Sequence, residues 1–187
     1  MGIMTVATRH TDRRGLLAGA LAFGAGALLT PKAAFAMVGE KRLAFRNVHN
    51  NERIDARYWG ASGFDADGLA EINHGMRDWR TGDVTAMDRD LIDLLVALRD
   101  KLGASPRSSF DLISGYRSPQ TNASLHARSN GVATKSQHML GKASDIALPG
   151  VRLETLRTAA LSIGRGGVGY YPRDGFVHVD TGRVRTW

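Results

Sequence analysis

Hydrophobic and polar positions change their period several times along the chain. Residues 42–48 alternate around Leu43, Phe45 and Val48, and residues 53–58 around Ile54, Ala56 and Tyr58. That two-residue period belongs to half-buried strands, and the intervening Asn50-Asn51 predicts a hairpin. Leu69, Ile72, Met76 and Trp79 then recur every three or four residues, which predicts a helix. From Asp88 a second helical stripe of Leu91, Leu94, Leu95, Leu98 and Leu102 runs to a stop at Gly103. The period becomes strand-like again over 110–116. A polar helix or loop follows over 119–131, and a further alternating segment over 143–148 ends at Pro149-Gly150. Leu153, Leu156, Ala160 and Ile163 mark one face of a helix over 151–163. Two short strands, 168–171 and 176–180, are joined through Pro172 and Gly175. Helices come early and strands late, so the pattern predicts an α+β fold with helices packed on a small, mainly antiparallel sheet.

The first 36 residues read differently. Arg13-Arg14 precede an apolar run rich in glycine and alanine that reaches Leu29, and Ala34-Phe35-Ala36 follows. A basic start, an apolar stretch too short for the ~20 residues of a spanning helix and an A-x-A ending describe a cleaved export signal. The paired arginines and Lys32 resemble the twin-arginine variety, although Asp12 and Gly15 depart from its consensus and leave the general secretory route open. Residues 37–187 are then one exported domain, working in the periplasm with no stable membrane span.

Composition narrows the chemistry. Hydrophobic residues are 43% and charged residues 23% of the chain, ordinary globular values. No cysteine is present, which excludes disulfides, thiolate metal sites and a cysteine nucleophile. Of the formal net charge of +7, residues 1–36 carry three, so the remainder is only mildly basic. Such a surface suits an anionic polymer without giving any sign of nucleic-acid binding.

Candidate chemistry gathers on two segments. In Phe176-Val177-His178-Val179-Asp180, the strand period puts His178 and Asp180 on one face. In Ser136 to Asp145, Asp145 lies opposite Ile146 and Leu148, and Gly141 lets the chain turn so that His138 folds back toward Asp145. Two imidazoles and one carboxylate suit a catalytic zinc that keeps a position for water. The same ligand types make the iron(II) facial triad of oxygenases, but those enzymes generally need more strands and fewer helices than this pattern offers. Each part also has a plainer reading: His-x-Asp as a surface pair, Asp145 as a carboxylate tied to backbone amides. His10, His49, His74 and His126 receive no role, and the leucine stripe of 91–102 is core.

The segment Ser-x-His-x-x-Gly-x-Ala-x-Asp, with Ser136, His138, Gly141, Ala143 and Asp145, resembles the zinc-binding segment of the D-Ala-D-Ala-type metallopeptidases. That group also includes lysostaphin-like enzymes and the hedgehog fold. Ser114-Gly115-Tyr116-Arg117, Gly131-Val132-Ala133 and the stretch from Val168 to Gly182 look closer still to the murein endopeptidase K branch. The resemblance covers roughly residues 40–187. It implies a hedgehog-like fold, zinc held by His138, Asp145 and His178, and hydrolysis of peptidoglycan peptides. It also places Ser136 and Arg117 near the site, Arg117 as a positive fork for a substrate carboxylate or the scissile carbonyl. Many relatives carry an acidic general base three residues before the last zinc histidine, and here that position is Gly175. Lysostaphin-like members use a histidine two residues before it, and here that is Phe176. Asp180 is therefore the preferred base or an orienter of His178, with Asp174 as the other acidic neighbour. The missing upstream carboxylate also leaves open a non-catalytic wall-binding module with an inherited metal site.

Overall fold

The computed structural model of the protein describes residues 39–129 and 131–187. The export signal expected over residues 1–36, His10 within it, and the junction at Met37 lie outside the described residues. Among those described, no helix is long and apolar enough to cross a membrane.

Eight strands form one sheet: β1 (Lys41–Asn47), β2 (Arg53–Gly60), β3 (Gly63–Phe64), β4 (Phe110–Ser114), β5 (Ala143–Ala147), β6 (Gly167–Tyr171), β7 (Phe176–Asp180) and β8 (Arg185–Thr186). Their spatial order is β3-β2-β1-β4-β5-β7-β6-β8. The hairpin expected at Asn50-Asn51 is the antiparallel β1/β2 pair. The sheet as a whole is mixed, which corrects the expectation of a mainly antiparallel one. β1 and β4 run parallel in its middle, and β6 and β8 run parallel at its edge. A parallel pair needs a long crossover. Here the connection from β2 to β4 carries α1 (Ala66–Gly75) and α2 (Arg89–Lys101), returning the chain in the direction of β1.

Three of the described α-helices begin where a side chain can satisfy free N–H groups. Asp65 accepts from the N–H groups of Asp67 and Gly68 to start α1, and Asp88 accepts from that of Asp90 to start α2. Ser118 caps α3 (Pro119–Arg128), whose Pro119 stands where no intrahelical N–H is needed. The 119–131 segment is thus helical over most of its length. α4 (Leu153–Ile163) ends at Gly164. Leu91, Leu94, Leu95 and Leu98 are fully enclosed in the core with Phe45, Tyr58, Phe110, Ile146 and Val177, and Leu102 packs at its margin. The first helical stripe is shorter than its period suggests. α1 stops at Gly75, and Trp79 lies in the following loop, 38% exposed.

Register aligns the polar face of the sheet. Across β4, β5, β7 and β6, Ser114 stands beside Asp145, Asp145 beside His178, and His178 beside Gly169. Strict alternation would send Ser114 to the same side as Phe110 and Leu112. An extra residue between Leu112 and Ser114 shifts the register, so that Leu112 pairs with Ile146 but Ser114 with Asp145. A bulge of this kind re-aims one side chain without disturbing the strand below it.

Candidate metal centre

A 3-10 turn over Gln137–Leu140 places His138 above this row. The Ser136 hydroxyl accepts from the His138 N–H at 3.3 Å and starts the turn, while Gly141, at φ 66°, ends it. A side chain is strained at that angle, and a Cβ on Gly141 would also stand 2.7 Å from the Ala86 carbonyl oxygen. The chain therefore reverses directly into β5, bringing His138 back over Asp145 as expected from the glycine.

His138, Asp145 and His178 are all buried, and each offers one ligand atom within 4.8 Å of the other two. The Nδ1 of His178 lies 2.8 Å from Asp145 Oδ1. His138 Nε2 lies 3.2 Å from that Nδ1 and 3.3 Å from the same oxygen. The remaining ring nitrogens decide the tautomers. His138 Nδ1 faces the Gly115 carbonyl oxygen at 2.6 Å, so it carries a proton and leaves Nε2 with its lone pair. His178 Nε2 faces Asp180 Oδ2 at 3.0 Å and donates to it, which frees Nδ1. Two imidazole nitrogens and a carboxylate oxygen thus converge. Three electron-rich atoms this close repel one another unless a cation lies between them, so the donor set fits a metal ion.

The electrostatics agree with that reading. Burial pushes the His138 imidazole toward its neutral form, the form a metal requires, despite the attraction of Asp145. Burial alone would raise the Asp145 carboxyl, but His138 and His178 hold it far below the ordinary carboxylate range. Burial opposes a charge on His178 too, yet hydrogen bonds to Asp145 and Asp180 outweigh it and raise its pKa. The pull that holds a proton on Nδ1 is a pull for any cation, so proton and metal compete for this atom.

The groups around the three are already engaged. Arg117 donates through Nε to Ser114 Oγ at 2.9 Å and through Nη2 to Asp145 Oδ2, the oxygen turned away from the histidines. Asp180 is 0% exposed. Its Oδ2 accepts from His178 and from Arg185 Nη2 at 2.6 Å, and its Oδ1 accepts from Arg185 Nη1 and the N–H groups of Gly167 and Gly182. Asp180 therefore touches the side of the His178 ring remote from Asp145 and His138. Its pKa is depressed because these bonds outweigh the effect of burial.

The three converging residues form part of the wall of an open cleft of about 680 Å³. Asp174 sits in an exposed turn and is, besides Asp145, the one side-chain carboxylate that lines the cleft among the described residues. His49, given no role from sequence, also lines the cleft and stacks on Trp79. His74 lies 3.4 Å from Glu52, and His126 Nδ1 lies 2.6 Å from the Val132 carbonyl oxygen, neither belonging to the converging group. Trp187 escaped sequence reasoning altogether. Its ring packs 5.1 Å from His178 and donates to the Tyr171 hydroxyl at 2.6 Å. A Cβ on Gly169 would meet that ring at 2.6 Å, so Gly-x-Tyr in β6 was the available signal.

Comparison with known proteins gives this geometry a family. Residues 36–187 match the family model described as peptidoglycan L,D-endopeptidase MepK. The chain is 46% identical to peptidoglycan L,D-endopeptidase MepK of Escherichia coli (strain K12), over 94% of this chain and 97% of that protein. It is 40% identical to a probable peptidoglycan L,D-endopeptidase MepK of Haemophilus influenzae, over 95% and 96%. No solved structure matches. With the match spanning the sheet, the cleft and all three converging residues, the chain belongs to the MepK family of peptidoglycan L,D-endopeptidases.

Proposed function

We propose that the protein is a zinc-dependent endopeptidase that cleaves peptide cross-links or stem peptides of peptidoglycan during cell-wall remodelling. The observation that carries this reading is the convergence of two imidazole nitrogens and a carboxylate oxygen at an open cleft in a chain of this family. His138, Asp145 and His178 would hold the ion. Zinc supplies Lewis acidity there, and water made acidic enough to ionise near neutral pH.

The protein's own groups do the rest. Gly115 and Asp180 fix the tautomers of the two histidines. Arg117 holds Asp145 and borders the cleft, where its fixed charge favours the negative charge that develops on a scissile carbonyl oxygen. Asp180 is a positioning residue, because its oxygens are fully engaged behind His178 and do not face the cleft. Asp174 is the group that accepts the proton and returns it to the leaving amine, supported by its place on the cleft wall. Export to the periplasm follows from the Arg13-Arg14 segment and A-x-A ending, and a hedgehog-like arrangement of the domain from the motif resemblance.

Incubating the purified protein with peptidoglycan sacculi tests the proposal. Soluble muropeptides should appear, and His138→Ala or His178→Ala should abolish both bound zinc and their release while circular dichroism stays native. Sacculi that are bound but not degraded would mark a wall-binding module instead.

A further inference from the structure

The cleft is also lined by cationic and aromatic groups outside the three converging residues. Arg80 lines it together with His49 and Arg117. The Arg80 guanidinium lies 4.2 Å from the ring centroid of Trp79, whose ring also stacks on His49 at 4.2 Å and 18°. Asp78, only 1% exposed, fixes the loop. One of its oxygens accepts from the Arg80 N–H at 3.0 Å, and the other accepts from the Ser118 N–H at 2.9 Å and the Ser118 hydroxyl at 2.8 Å. A single buried carboxylate thus ties the loop carrying Arg80 to the turn carrying Arg117.

The Arg80 side chain is held but not neutralised. Among the described residues no carboxylate forms an ion pair with it, since Asp78 is turned to backbone N–H groups and the Ser118 hydroxyl. Partial burial and the like charges of Arg117 and Arg128 weaken its grip on its proton, against the opposing pull of Asp78. An arginine held over an indole ring, among other cations and facing a cleft, lacks an anion. Arg117 cannot supply that function, because its own fork is occupied by Ser114 and Asp145.

We infer that Arg80 is a substrate-recognition residue that takes a free side-chain carboxylate of the peptide stem, with Trp79, itself stacked on His49, holding its guanidinium in place. Naming the stem peptide as the occupant rests on the endopeptidase reading above. The planar fork matches a carboxylate through two parallel hydrogen bonds, and the anion would relieve the repulsion among the three arginines.

The test compares two dimeric muropeptides, one with free side-chain carboxylates and one with those carboxylates amidated. Calorimetry measures in parallel the binding of the free-carboxylate tetrapeptide monomer. Arg80→Met should lower kcat/KM on the free-carboxylate dimer at least tenfold, chiefly through KM, and change hydrolysis of the amidated dimer less than twofold. Zinc content and circular dichroism should not change, and tetrapeptide affinity should fall by a similar factor. Trp79→Ala should reproduce the substrate dependence more weakly, and Arg80→Lys should restore only part of the loss. An equal loss on both dimers, or no loss on either, would overturn the assignment. If the unaltered protein cleaves neither dimer yet binds tetrapeptide in an Arg80-dependent way, the hydrolytic reading fails and the anion site stands.

Discussion

Asp180→Asn replaces one atom and separates two roles that the sequence leaves joined. In the protein, Asp180 Oδ1 accepts from the N–H groups of Gly167 and Gly182 and from Arg185, while Oδ2 accepts from His178 Nε2 and Arg185. The asparagine oxygen keeps the first set of bonds. Its NH2 group then faces the Nε2–H of His178 and the Nη2–H of Arg185, donor against donor. The imidazole relieves the conflict by moving its proton to Nδ1, the atom that faces Asp145 and His138. A ligand nitrogen carrying a proton cannot bind metal. Loss of such an orienting partner typically costs about 10–100-fold in metal affinity, or about 1.4–2.7 kcal/mol. Competition with a chromophoric chelator measures that affinity directly, and muropeptide release should be restored by excess zinc. The reasoning is refuted if Asp180→Asn binds zinc as tightly as the unaltered protein and yet cannot hydrolyse sacculi, because Asp180 would then be the proton acceptor. Asp180→Ala is harsher: it strands the Arg185 charge, the buried N–H of Gly167 and the half-buried N–H of Gly182, and should cost about 3–5 kcal/mol in denaturant unfolding.

Three further outcomes are expected. Asp174→Asn should lower kcat by about 100-fold or more while zinc content stays full, and an unchanged rate would remove Asp174 from the mechanism. Gly169→Ala should displace the Trp187 ring, since the added methyl would stand 2.6 Å from it; a shift in tryptophan fluorescence, about 1–3 kcal/mol of lost stability and reduced hydrolysis should appear together. For Asp78, burial raises the pKa, but bonds from Thr121, Ser118 and Arg80 outweigh it and leave the folded value below the unfolded one. The resulting stability is therefore present above the unfolded pKa of about 3.9 and is lost as pH falls from there through the folded value. Acid unfolding of Asp78→Asn should be shallower below about pH 4, and an acid limb as steep as that of the unaltered protein would contradict the assignment.

Local chemistry made much of this protein legible from its residues. The β1/β2 hairpin is encoded by alternation around two asparagines, the core helix by its leucine stripe, and the approach of His138 to Asp145 by the glycine between them. Each of these is a short-range rule in which a few neighbouring side chains and one backbone angle set the outcome. What tertiary structure alone decided depends on elements distant in the chain. The crossover through α1 and α2 makes the sheet mixed, and the register shift at the end of β4 turns Ser114 toward Asp145. The Arg185 fork and the N–H groups of Gly167 and Gly182 close around Asp180, so a carboxylate that looks free in the string His-x-Asp is fully engaged. Trp187 reaches His178 because β8 pairs with β6, and Arg80 faces the cleft because buried Asp78 ties its loop to Ser118. Periodicity tells which side of an element a residue occupies; only the pairing of remote elements tells which hydrogen bonds remain for it to make.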